Sequence, residues 1–175
     1  RYIAGYDNFL VFLFEIHIKR KRSFNMYFRK NIKFLRKLNH LSQRAFDKLI
    51  FPFYAEDTFV TYKLENGKYR NPLPFLITIA NYFHISLDKL SFTSITEDDI
   101  DKIFPMRKLD YFYLNFNRLK KYKNLTFNDI AQQTGINTII NYSRSNKSYF
   151  IKLDNLYSIS RIFGSSLDDL LTTSN

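Results

Sequence analysis

Two stretches 80 residues apart, PFLITIANYFHISLDKL (Pro74 to Leu90) and LDNLYSISRIFGSSLDDL (Leu153 to Leu170), align through Leu76/Leu156, Ile79/Ile159, Phe83/Phe163, Ser86/Ser166, Leu87/Leu167, Asp88/Asp168 and Leu90/Leu170. Matched apolar positions at a fixed period mark a duplicated structural unit. Upstream of each stretch, Asn31, Leu35, Lys37 and Leu41 recur as Asn115, Leu119, Lys121 and Leu125, and Ser42 as Thr126, 84 residues on. The first unit therefore carries about four residues more than the second.

Each unit reads as several short helices. Phe34, Leu35 and Leu38 fall on one helical stripe, and Ser42 and Thr126 are hydroxyl N-caps for the helix that follows. Asp57 or Thr58 is expected to cap a third helix running through Leu64. Leu76, Ile77, Ile79, Ala80 and Phe83 have the spacing of a well-buried fourth helix, and Ser86 caps a fifth. No stretch alternates like a strand. Between the units, Thr96 followed by Glu97, Asp98 and Asp99 predicts a linking helix, because acidic side chains suit a helix N-terminus. The expected division is an N-terminal appendage (1–25), a first module (26–92), an acidic helical linker (93–110) and a second module (111–175).

The 175 residues include 27 Lys+Arg against 16 Asp+Glu, a net charge of +11, and no Cys. A disulfide framework and a thiolate metal site are excluded, and a polyanion is the favoured partner class. The positive charge lies in the two units, with 11 basic and 5 acidic residues in 26–92 and 8 and 4 in 111–175, against 3 and 5 in 93–110. The apolar run Phe9 to Ile18 is about half of what a bilayer span needs, and the basic cluster Lys19 to Arg22 follows it, the reverse of a secretory signal. No membrane partner and a cytoplasmic location are the expectations.

Ser42-Gln43 opening a helix, then Tyr62-Lys63-Leu64-Glu65-Asn66-Gly67-Lys68, Pro72, a Leu/Ile helix and SLDKL, resemble the lambda-repressor-like (Cro/XRE-type) helix-turn-helix family, once over about Met26 to Phe92 and again, in degenerate form, over about Tyr111 to Thr172. The resemblance implies an all-α protein of two tandem five-helix modules. In such a module the second helix crosses the DNA backbone and the third presents its first turn to base edges in the major groove. It implies base-reading roles for Thr58, Phe59 and Lys63, and for Asn137, Thr138 and Asn141 in the second copy. Gln43, Asn66, Lys68 and Arg70, with Arg144 and Lys147, would hold phosphates. It also implies a structural ion pair between Arg36 and Glu65. Gly67 would turn the chain with positive φ. For Phe59 core packing is the alternative; for Lys68 and Arg70 it is solvated loop charge.

Departures from the family pattern are specific. Where the second copy has a small residue and a turn glycine, Ala131 and Gly135, the first has Asp47 and Phe51, followed by an aromatic insertion through Tyr54. The second copy lacks the Glu-Asn-Gly run, and Lys120 stands in place of Arg36. His17, His40 and His84 are isolated, and no catalytic, metal-binding or cofactor motif is present, so no enzyme, metal or cofactor is expected. The expected function is sequence-specific double-stranded DNA binding by a prokaryotic, phage- or mobile-element-type repressor acting by operator occupancy. Two modules on one chain could imitate a two-fold dimer, so a homodimer is not required. The alternative is a repressor-fold protein-interaction module, such as an antitoxin, an antirepressor or an inhibitor of a nucleic-acid enzyme, using the Phe51 to Tyr54 insertion.

Overall fold

A computed structural model describes residues 27–54, 58–143 and 151–173, and among these it is all-α, without a strand. The appendage 1–25, Asp57, Arg144 and Lys147 lie outside the described residues. The elements are α1 (27–38), α2 (Gln43–Ile50), α3 (Val60–Glu65), α4 (Leu73–Tyr82), α5 (Leu87–Phe92), a 3-10 turn (Glu97–Asp99), α6 (Asp110–Tyr122), α7 (Phe127–Thr134), a 3-10 turn (Ile139–Ser143), α8 (Leu153–Phe163) and α9 (Leu167–Leu171). None of these helices is long and apolar enough to cross a membrane.

Capping decides where the short helices start. The Ser42 hydroxyl accepts the Ala45 N–H at 3.1 Å, and the Thr126 hydroxyl accepts that of Asp129 at 3.1 Å while the Asp129 carboxylate returns to the Thr126 N–H at 2.7 Å. Helix ends repeat as well. His40 and Asn124, 84 apart, and His84 and Gly164, 80 apart, all hold left-handed backbone where their helices stop, at φ 53°, 52°, 48° and 64°.

The buried stripe of α1 is Phe28, Ile32 and Leu35, with Phe34 and Leu38 only half-buried at its margin, one step round the helix from the expected Phe34–Leu35–Leu38 line. It packs with Phe46 and Ile50 of α2, Val60 and Leu64 of α3, and the apolar face of α4. Asn31 is buried among them because its amide donates to the end of α5, to Leu90 O at 2.9 Å and Thr93 O at 2.6 Å. Those carbonyls have no partner within their own helix, and burying them unsatisfied would cost about 1–3 kcal/mol each. Asn115 does the same on α6, donating to Leu170 O at 3.2 Å and Thr172 O at 2.8 Å at the end of α9. The repeated asparagine is thus a repeated anchor.

Residues 93–110 differ from the expected linking helix. Thr96 and Asp99 form a capping box, but only one 3-10 turn follows. Asp101 takes left-handed φ (55°), its N–H and that of Lys102 go to Phe83 O and His84 O at 3.1 Å each, and Pro105 then bars helical hydrogen bonding. The chain runs without regular structure to Arg107, which is buried. Its guanidinium stacks 4.9 Å from the Phe104 ring centre, donates to Asn81 Oδ1 and pairs through Nε with Asp168.

Asp168 belongs to a reciprocal contact between α5 and α9. Its carboxylate accepts the Leu87 N–H at 3.0 Å and the Ser86 hydroxyl at 2.7 Å, while the Asp88 carboxylate accepts the Leu167 N–H at 2.8 Å. Each short helix therefore caps the other. Burial, and then the neighbouring Asp168 charge, push the Asp88 carboxyl up to about 6. Phe92 meets Tyr157 edge-on at 4.6 Å, and the Asn71 amide donates to Ile151 O at 3.0 Å, closing the same junction.

Candidate nucleic-acid interface

The face bearing most of the expected site residues is built by α2, α3 and the turn after α3. Its foundation is Arg36, whose Nε and Nη2 meet the two Glu65 carboxylate oxygens at 2.7 and 3.2 Å, with Nη1 on Leu41 O at 3.0 Å. This two-pronged pair ties α1 to the end of α3 and is largely desolvated, with side-chain exposures of 14% and 8%. Gln43, read from sequence as a phosphate contact, instead donates its amide to Glu65 Oε2 at 2.6 Å. A hydrogen bond to a charged carboxylate is stronger than a neutral one, so Gln43 belongs with the ion pair.

The other end of α3 is held from α2. The helix begins at Val60, with Phe59 rather than Asp57 or Thr58 at the N-cap position, and Phe59 offers no side-chain cap. Asp47 supplies it across the gap: its carboxylate accepts the Thr61 N–H at 2.7 Å and also the Thr61 hydroxyl. That accounts for an aspartate where the second copy has Ala131. With Glu65 paired and Asp47 turned onto Thr61, the exposed side chains on α2 and after α3 are led by Arg44, Lys48, Lys68 and Arg70.

On α3 itself Val60, Thr61 and Leu64 face the core. Outward stand Phe59, 54% exposed, Tyr62, 41% exposed, and Asn66, with Lys63 half-buried beside them. Core packing is therefore not the role of Phe59. Its backbone is left-handed (φ 47°), a conformation that is a strained outlier for a bulky residue. Thr58 is half-buried just ahead of it. Asn66 donates to Tyr62 O at 2.8 Å, and Lys68 lies over the Tyr62 ring, its ammonium 2.9 Å from the hydroxyl. Gly67, at φ 64°, turns the chain here, and a Cβ would collide with the Arg29 guanidinium at 1.8 Å.

The aromatic insertion splits in two. Phe51 is buried edge-on against Phe75 at 5.7 Å and Tyr54 leans on the same ring at 5.4 Å, but Phe53 is 99% exposed. Beside them, between α2 and the start of α3, lies a shallow cleft of about 190 Å³ lined by Arg44, Asp47, Lys48 and Tyr54 among others.

The second half is built differently at this face. Gln43 and Arg36 have Phe127 and Lys120 as counterparts, and the Lys120 ammonium sits 4.6 Å from the Phe127 ring centre, a cation–π contact in place of the ion pair. Among the described residues of the segment corresponding to α3 (140–145) lies the 3-10 turn Ile139–Ser143, anchored by buried Ile136, Ile139 and Tyr142, the last accepting from the Asn155 amide at 2.8 Å. Asn137 and Thr138 are exposed and Asn141 is half-buried. Gly135 ends α7 with φ 70°, where the sequence places the turn. Among the described residues, no group of three or more His, Cys, Asp or Glu side chains is placed to hold a metal ion.

The structure thus gathers Thr58, Phe59, Lys63, Asn66, Lys68 and Arg70 around α3 and withdraws Gln43 from them. The sequence pattern does not reveal the cap supplied by Asp47, which shows there as a departure from the family pattern, nor the roles of Arg107, Asp88 and Asp168, of which only the two aspartates show, as one acidic position repeated. No known protein family, curated protein or solved structure matches the chain.

Proposed function

We propose that this protein is a sequence-specific duplex-DNA-binding regulator of the repressor-like helix-turn-helix type, with two tandem modules and α3 as the principal reading element. It acts by occupancy and needs no cofactor or catalytic group. The observation that carries the reading is α3: a six-residue helix, wholly buried on one side, whose other side offers Phe59, Tyr62, Lys63 and Asn66, with the Glu65 carboxylate neutralised by Arg36 and the Asp47 carboxylate turned onto Thr61. An aromatic edge suits a thymine methyl, an ammonium suits guanine O6 and N7, and flanking Lys68 and Arg70 suit phosphates. Strain held at Phe59 fits a residue kept for what it touches rather than for stability.

Mobility-shift titration against duplexes from the chain's own upstream DNA tests this. If about six phosphates are neutralised, affinity falls on the order of a thousandfold between 50 and 200 mM salt. Lys68→Ala weakens all sequences alike, while Lys63→Ala changes the preference among them. Absent or salt-insensitive binding refutes the proposal.

One observation favours the protein-interaction reading: Phe53 is fully exposed, next in the chain to Tyr54, 48% exposed, which lines the cleft. Such a patch suits an apolar partner surface more than a phosphate backbone. Replacing Phe53 by Ser separates the two, since DNA affinity is then unchanged and only protein capture is lost.

A further inference from the structure

The contacts joining the halves have a symmetry of their own. With the repeat offset of 80, Asp88 corresponds to Asp168 and Leu87 to Leu167. Asp88 accepts from Leu167, and Asp168 accepts from Leu87. The operation that carries the first half onto the second therefore also carries the second back onto the first, which is the property of a two-fold axis and not of a head-to-tail stack. An independent contact agrees. Asn71 donates to the carbonyl of Ile151, its own counterpart 80 residues on, and a position that touches its own equivalent lies beside the axis. Buried Arg107, paired with Asp168 and hydrogen-bonded to Asn81, fixes the junction from one side only, so the symmetry is approximate.

We infer that one chain presents α3 and its counterpart turn Ile139–Ser143 as a two-fold-related pair, and that its partner is a DNA duplex carrying two half-sites in inverted orientation, both covered by a single polypeptide. The inference rests on the proposed function and adds stoichiometry and orientation to it. Inverted half-sites share the dyad of the duplex, and centre-to-centre they lie about one helical turn, roughly 34 Å, or a multiple of it, apart. Because the two reading elements differ in sequence, the half-sites are unlike in sequence although inverted in orientation.

The test uses the full chain. A bound duplex is selected from a random pool, the mass of its complex is measured, and both strands are footprinted with hydroxyl radicals, which report backbone cover irrespective of base identity. One chain per duplex, with two protected blocks whose pattern read 5′ to 3′ is the same on either strand, is the expected result. Inserting five base pairs between the blocks turns them to opposite faces and lowers affinity on the order of a hundredfold, the loss of the second, tethered contact. Two chains per duplex, a single protected block, a pattern repeated along one strand, or indifference to the insertion overturns the inference and leaves DNA binding standing. Failure to enrich any sequence overturns the functional reading and this inference with it.

Discussion

Replacing Asp88 by Asn removes a charge that the junction between the halves does not favour, while leaving an oxygen to accept the Leu167 N–H. The Asp88 carboxyl lies at about 6, raised from an ordinary value of 3.8 by burial first and by Asp168 second, with Asp169 adding a little, against the hydrogen bonds from Leu167 and Asp168 that lower it. A folded-state value above the unfolded one means that the folded chain holds the extra proton. The corresponding stability is fully present below about pH 4 and is lost as pH rises through 6. A displacement from 3.8 to about 6 is worth roughly 3 kcal/mol, an upper bound for a side chain that is only partly buried. The stronger capping of α9 by a charged carboxylate is already contained in that net displacement, so discounting the upper bound for partial exposure leaves a net gain of about 2 kcal/mol for Asp88→Asn at pH 7.5 and none near pH 4. Urea unfolding followed by far-ultraviolet circular dichroism at pH 4.5, 6 and 7.5 reads this directly. The counterpart Asp168→Asn moves the other way, destabilising by about 3–5 kcal/mol, because Arg107 is then a buried cation without its partner. If Asp88→Asn were destabilising at pH 7.5, the carboxylate would be a favourable charge there and its hydrogen bonds would outweigh its burial.

Further expectations concern the first half and its repeat. Glu65→Ala leaves Arg36, among the described residues, with the Leu41 carbonyl alone and is expected to cost about 3 kcal/mol by urea denaturation; a loss below about 1 kcal/mol would show that water already screens the pair. Phe59→Gly relieves the left-handed strain, stabilising the fold by about 1 kcal/mol in thermal melts, and on the proposed function it weakens DNA binding; stability unchanged or lowered would deny the strain. Asn115→Ala strips the donors from the last carbonyls of α9 and should cost about 2 kcal/mol, closely matched by Asn31→Ala on α5, and a large inequality between them would mean the two anchors are not equivalent.

What could be read from the sequence was set by local chemistry. Ser42, Thr126 and Ser86 act on backbone three residues away, and the α4 and α8 stripes follow from helical period alone, so both were legible. The face around α3 was legible as residue types but not as commitments. Gln43 is a competent phosphate donor until Glu65 is seen 2.6 Å away, and Asp47 looks like a misfit until it caps a helix fourteen positions on. Acidic residues after Thr96 do start a helix, but nothing in composition says that Phe83 and His84 carbonyls will claim the next amides and end it after one turn. The cross-helix caps at Asp88 and Asp168 were hidden for a related reason. A carboxylate in the first turn of a helix has an ordinary local use, and only the docking of the halves redirects each onto the other's backbone.

What repeats and what differs between the halves divides along a physical line. Asn31/Asn115, the Ser42/Thr126 caps, the left-handed stops at His40/Asn124 and His84/Gly164, and Asp88/Asp168 all hold backbone that would otherwise lie unsatisfied, and all recur. Divergence concentrates where a side chain faces outward or supports one that does: the Arg36–Glu65–Gln43 group against Lys120 on Phe127, Asp47 against Ala131, and α3 against a 3-10 turn. An outward face free of backbone duties can change without unfolding the chain, so a duplicated scaffold permits unequal surfaces. On the proposed function, the ion-paired, strained and aromatic-tipped α3 carries most of the discrimination among sequences. The second half, held by the same anchors but tipped only with Asn137, Thr138 and Asn141 among its described reading residues, then serves mainly to place and tether it.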